Sequence, residues 1–154
     1  MPSGQPTLLP LPSPHPYSAP HYTSHLQEVQ KYQALQGEVQ ELNASRGQFL
    51  QQANENELVK QELDLLSDGA PVYKLIGPVL MQQDLDDAKQ NVAKRLDFIK
   101  GEIEKVDVVI QDKQKAQNEI GEKVMAMQQE MRAKAAQEAQ KVYEEAAGGA
   151  GPGS

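Results

Sequence analysis

The chain has 154 residues and a net charge of −7, with no Cys, no Trp and only two Phe. Its length fits one domain, but it holds too few large side chains for a thick globular core. The charge excludes general binding to nucleic-acid phosphate, which needs clustered Lys and Arg, and the missing cysteines exclude disulfides and thiolate metal sites. No run approaches the ~18 apolar residues of a membrane span, so what is left is the Gln-, Glu-, Lys-, Ala- and Leu-rich profile of long helices and coiled coils.

Residues 1–24 carry seven of the ten prolines and no Lys, Arg, Asp or Glu. Proline fixes φ and removes an amide donor, so the expectation is a disordered, proline-rich N-terminal tail. No two of these prolines stand three apart, which excludes a PxxP ligand. The stretch also lacks the basic flank and apolar run of a secretory signal and the arginines of a mitochondrial one, so a cytoplasmic location is expected. His15, His21 and His25 fall in or beside this tail. A disordered segment would not hold them in a fixed ligand geometry, and no metal or other cofactor is expected.

Ser24 with Gln27 forms a capping-box pattern, which predicts a helix over residues 25–67. Leu35, Val39, Leu42, Arg46, Phe49, Ala53, Asn56, Lys60 and Leu63 then follow steps of four and three, a seam that is apolar at the start and poor in the middle. Gly37 and Gly47 weaken it by about 1 kcal/mol each. Ser67-Asp68-Gly69-Ala70-Pro71 is the stop signal.

Next comes VYKLIGPVLM, from Val72 to Met81, whose Gly-Pro pair no helix interior tolerates. It predicts a β-hairpin over residues 71–83, with strands Val72 to Ile76 and Val79 to Gln83 turning at Gly77-Pro78. Both faces are apolar, Val72 and Ile76 on one and Tyr73 and Leu75 on the other. An isolated hairpin is marginal in water and offers unpaired edges, so this one should be covered by further strands. Val72, Tyr73, Leu75, Ile76, Gly77, Pro78, Val79, Leu80 and Met81 are therefore the candidate oligomer interface. A simple apolar cap beneath the helices is the plainer alternative.

Asp84 opens a second predicted helix, over residues 84–147, with Asp86 and Asp87 at the positive end of its dipole. Capping also accounts for this trio of carboxylates without any catalytic role. Val92, Leu96, Ile99, Ile103, Val106, Ile110, Lys113, Gln117, Ile120, Val124, Met127 and Met131 form a seam with ten apolar positions of twelve, which reads as coiled coil. The same register next gives Lys134, Glu138 and Lys141, so the seam is expected to end at Met131. Residues 148–154 are expected to form a flexible Gly-rich tail.

Two long helices joined by a hairpin should fold back as an antiparallel two-helix coiled coil. Counting outward from the hairpin pairs Leu63 with Leu85, Phe49 with Ile99, Leu42 with Val106 and Leu35 with Lys113, and sets Leu26 near Glu122. The second helix is the longer, which leaves Met125, Met127 and Met131 at a far tip with little partner helix. Methionine suits apolar surfaces that accept varied partners. Met125, Met127 and Met131 are thus a candidate binding tip; the plainer alternative is that Met127 and Met131 are seam residues packed against Leu26 and Tyr22.

The run ENELVKQELDLLSDGAPVYKLIGPVLMQQDLDDAKQNVAKRLDFIKGEIEKVD closely resembles the β-type prefoldin subunits, and the likeness spans roughly Leu26 to Arg132. The resemblance implies a heterohexamer of two α-type and four β-type subunits, whose hairpins form a β-barrel platform carrying the coiled coils. It further implies capture of unfolded proteins such as actin and tubulin at the tips, without nucleotide, and delivery to the cytosolic group II chaperonin. Val72 to Ile76 and Val79 to Met81 would be platform strands. Leu26, Val29 and Val124 to Met131 would face the client. The proline-rich residues 1–24 exceed the family pattern.

No enzyme is expected, since G-x-x-x-x-G-K-[ST], HExxH and a Cys nucleophile are all missing. The rival reading is a structural coiled-coil adaptor that self-associates through its hairpin.

Overall fold

The computed structural model describes residues 19–149. Its elements in chain order are α1 (Ala19–Leu65), β1 (Val72–Ile76), β2 (Val79–Gln83) and α2 (Leu85–Gly148). They divide between two compact units, Ala34–Gln117 and Met1–Gln33 with Asn118–Ser154. No described helix is long and apolar enough to cross a membrane.

In the Ala34–Gln117 unit the helices run antiparallel over a narrow core. Leu63, Leu85 and Ala88 are buried together, with Val72 and Val92 packed against them, and Leu96, Ile99 and Ile110 continue the buried line along α2. The core is thin because each helix offers one residue per turn to it. Arg46 takes a seam position and is paired with Asp107, while Lys113 reaches Glu38 and Lys100 lies 3.8 Å from Glu57. The Asn56 side-chain amide donates to the Gln52 carbonyl at 2.7 Å, so this polar seam residue is satisfied within its own helix.

Three local devices join the helices. Gly69, at φ +82°, takes the third place of a turn in which the Ala70 amide donates to the Ser67 carbonyl at 3.1 Å, a position that favours glycine. The strands pair antiparallel from Val72 opposite Gln83 to Ile76 opposite Val79. Gly77 turns them at φ +57°. A positive φ at the first central residue and the ring-restricted φ of Pro78 at the second match a type II′ hairpin turn. Asp84 then caps α2, its Oδ1 accepting from the Asp86 and Asp87 amides at 2.9 and 3.2 Å.

In the other unit, residues 19–33 of α1 lie antiparallel to α2 from Asn118 onward. Lys123 donates to Glu28 at 2.9 Å, and the Tyr32 ring covers Gly121, where an added Cβ would meet it at 3.4 Å.

The start of α1 departs from the sequence expectation. The helix opens at Ala19, not after Ser24, so residues 19–24 of the expected tail are helical and Ser24 is no cap. Pro20 permits this start, because it sits in the first turn, where a missing amide costs nothing and φ is already helical. His21 and His25 accordingly lie on α1 rather than in a tail. Residues 1–18 of the expected proline-rich tail, with His15, and residues 150–154 of the Gly-rich one lie outside the described residues. At their other ends α1 stops two residues before the expected Ser67, and α2 runs one past Ala147.

Candidate functional site

Two surfaces present apolar side chains, one in each unit. The first is the hairpin. The pairing register sets Val72, Lys74, Ile76, Val79 and Met81 on one face and Tyr73, Leu75 and Leu80 on the other. Leu75 and Leu80 are directly opposite and 68% and 66% exposed, and Tyr73, Ile76, Val79 and Met81 are each more than half exposed. Val72 turns inward, onto Leu63 and Leu85, and Gln83 opposite it is partly buried too. Each strand has one neighbour among the described residues, so each leaves a row of amides and carbonyls along its outer edge. Exposed apolar faces and open edges together are what strand addition requires.

The second surface is a groove of about 580 Å³ in the Met1–Gln33 and Asn118–Ser154 unit. His21 and Tyr22 of α1 form one end, and α2 forms the floor through Met127, Met131, Ala135 and Val142. Charged groups of both signs rim it: Glu130, Lys134, Glu138, Lys141 and Glu145. Glu130 and Lys134 pair at 2.8 Å, and that hydrogen bond holds the Glu130 carboxyl below its ordinary value. Glu28 of α1 meets Lys123 of α2, its side chain 9% exposed. Hydrogen bonds from Lys123 first and Lys31 second hold its carboxyl below the usual range. His25 Nε2 is buried nearby without a hydrogen-bond partner.

The six residues expected at a binding tip separate into three settings. Met127 and Met131 line the groove. Val29 and Val124 are partly buried and lie outside it. Leu26 and Met125 are exposed and also outside it, Met125 at 62%.

His21, Ala135 and Val142 were not expected in such a site, and Tyr22 was expected only as a packing partner of Met127 and Met131. The heptad register places Lys134 after Met131, whereas the floor takes a further step of four to Ala135 and continues through Glu138 to Val142. Met127, Met131, Ala135 and Glu138 are thus spaced by four, four and three, an eleven-residue period. That period is the signal a strict heptad count passes over. Among the described residues no three His, Cys, Asp or Glu side chains gather in a metal-holding group. What the two surfaces offer chemically is strand pairing and apolar contact.

Comparison with known proteins agrees with this geometry. The family model described as prefoldin subunit matches residues 27–131. The chain is 43% identical over 97 residues to prefoldin subunit 6 of Arabidopsis thaliana, covering 63% of this chain and 75% of that one. It is 42% identical over 117 residues to a probable prefoldin subunit 6 of Caenorhabditis elegans, covering 75% and 93%. It is 40% identical over 110 residues to prefoldin subunit 6 of Homo sapiens, covering 71% and 85%. This is also the subunit type that VYKLIGPVL, with LVKQEL before it and KRLDFIKGEIE after it, most resembles. Among solved structures, the prefoldin beta subunit from Thermococcus strain KS-1 superposes with a TM-score of 0.65 at 14% identity, covering 67% of this chain and 90% of that one. That likeness concerns the fold.

Proposed function

The chain belongs to the prefoldin subunit family, and we propose on that ground that it serves as one β-type subunit of a heterohexamer with two α-type and four β-type members. Members of the family are chaperone components that assemble with other prefoldin subunits, and they are not enzymes. In the proposed complex the hairpin adds its strands to those of neighbouring subunits in a β-barrel platform. The tip around Met127 and Met131 holds unfolded proteins of the actin and tubulin kind, without nucleotide, for transfer to a group II chaperonin in the cytoplasm.

The observation that carries the reading is the hairpin, with both faces apolar and both edges open inside the family-matched region. Burying Leu75 and Leu80 alone would contribute about 1.5–3 kcal/mol each, which a lone chain forgoes. The test is reconstitution with the other prefoldin subunits, followed by dilution of chemically unfolded actin into the complex. Light scattering is expected to stay low with or without ATP, and the client is expected to pass to added chaperonin. A complex that forms but leaves actin aggregation unchanged would overturn the proposal in favour of a structural adaptor.

A further inference from the structure

His21 and His25 lie on α1 rather than in a tail, so the reason for expecting no metal at them, the lack of a fixed geometry, does not hold. Four residues apart, they share one face of the helix and are offset by about 6 Å along its axis, the spacing at which two imidazoles can reach one ion. α2 offers a second pair at the same spacing, Met127 and Met131.

The two pairs face each other. Lys123 donates to Glu28 at 2.9 Å, and the Tyr32 ring covers Gly121, which fixes how the antiparallel helices are aligned. Continued toward Ala19, that alignment sets His25 opposite Met127 and His21 opposite Met131. The groove agrees, since His21, Met127 and Met131 line it together. His25 Nε2 is buried without a hydrogen-bond partner, and a desolvated ring nitrogen is costly to leave unpaired. We propose that His21, His25, Met127 and Met131 form a binding site for a soft monovalent metal ion, Cu(I). The site does not rest on the function proposed above.

The donor set selects the ion. Thioethers are neutral, polarizable donors that favour Cu(I), and imidazole nitrogen also suits copper. Zn(II) takes thiolate, imidazole and carboxylate ligands. The chain has no Cys, and among the described residues no three His, Cys, Asp or Glu side chains gather in one place. Ca(II) and Mg(II) require oxygen ligands, which neither pair supplies. Glu130 lies within electrostatic reach of His21, but Lys134 holds it at 2.8 Å, so it is engaged rather than free to ligate. An ion shared by both pairs would tie the first turns of α1 to α2.

The first test uses the full chain, with methionine labelled at its methyl carbon and Ag(I) as a redox-inert stand-in for Cu(I). Ag(I) is expected to shift the Met127 and Met131 methyl signals and to leave those of Met81 and Met125 in place. Met81 lies on the hairpin and Met125 outside the groove, so equal shifts at all four would overturn the site, as would no shift at all. Cu(I) is then titrated under ascorbate against a coloured Cu(I) chelator. Met127→Leu with Met131→Leu keeps apolar side chains in place and is expected to weaken Cu(I) binding about tenfold or more, through loss of both thioethers. His21→Ala with His25→Ala is expected to abolish it. Cu(I) affinity retained in either double variant would overturn the ligand set. Zn(II), added in place of Cu(I), is expected to bind far more weakly; Zn(II) held as tightly as Cu(I) would overturn the choice of ion.

Discussion

Arg46 and Asp107 meet across the helix pair of the Ala34–Gln117 unit, Arg46 Nε donating to Asp107 Oδ1 at 2.5 Å and the second guanidinium nitrogen lying 3.5 Å from Oδ2. The hydrogen bond to Asp107 raises the Arg46 pKa further above its ordinary range. Arg46 occupies a seam position that an apolar residue would ordinarily take, and its side chain stays 37% exposed. Asp107→Ala is expected to lower the thermal midpoint by a few degrees, because it leaves a guanidinium on the seam without its partner. Arg46→Leu with Asp107→Ala is expected to restore or raise it, as read by circular dichroism melting.

Leu85 is buried with Leu63 and Ala88 beneath Val72, and this cluster joins hairpin to helices. Leu85→Ala is expected to cost about 2–3 kcal/mol, toward the lower end for buried leucines because a thin core partly collapses around the gap. Urea unfolding gives the number. Amide exchange should show the hairpin losing protection first, since Val72 is its apolar residue packed on the cluster.

The turn at Gly77, with φ +57°, has open space where a Cβ would stand, so any penalty there is conformational rather than steric crowding. Gly77→Val is expected to destabilise the hairpin by about 1–3 kcal/mol. Leu75→Asp with Leu80→Asp keeps the turn and places charge on one exposed face. Native mass spectrometry is expected to show loss of complex for this pair while the helical signal of the chain persists.

Met127 and Met131 line the groove whereas Met125 does not. Met127→Gln with Met131→Gln is expected to weaken binding of unfolded actin severalfold without disturbing assembly. Met125→Gln is expected to leave it within twofold, as followed by light scattering and by fluorescence titration. Equal effects from the two variants would count against the groove as the binding surface.

Glu28 supplies a pH dependence whose sign follows from its lowered pKa. A carboxyl held below its unfolded value binds fewer protons in the folded state. Its contribution is therefore present above about pH 4.5 and is lost as pH falls through the folded value. Amide exchange in residues 118–131 is expected to accelerate on acidification below that point. Glu28→Gln should flatten the response, leaving the chain less stable at neutral pH and nearly unchanged in acid.

The heptad arithmetic was legible in the sequence alone. All nine expected seam positions of α1, Leu35 to Leu63, and all twelve of α2, Val92 to Met131, are buried or partly buried. Apolar spacing along a helix is a local property, and it determines which face is hidden whatever the partner. The strands and their Gly-Pro turn were legible for the same reason, since φ preferences act over a few residues. What the tertiary structure decided is where α1 begins against α2. Pro20 is as compatible with a first helical turn as with a tail, and only packing against Met127 and Met131 extends the helix back to Ala19. That start leaves the stripe through Ala135 and Val142 open, and so creates the groove. It depends on which turns of two distant segments face each other, a relation that no local window of the chain contains.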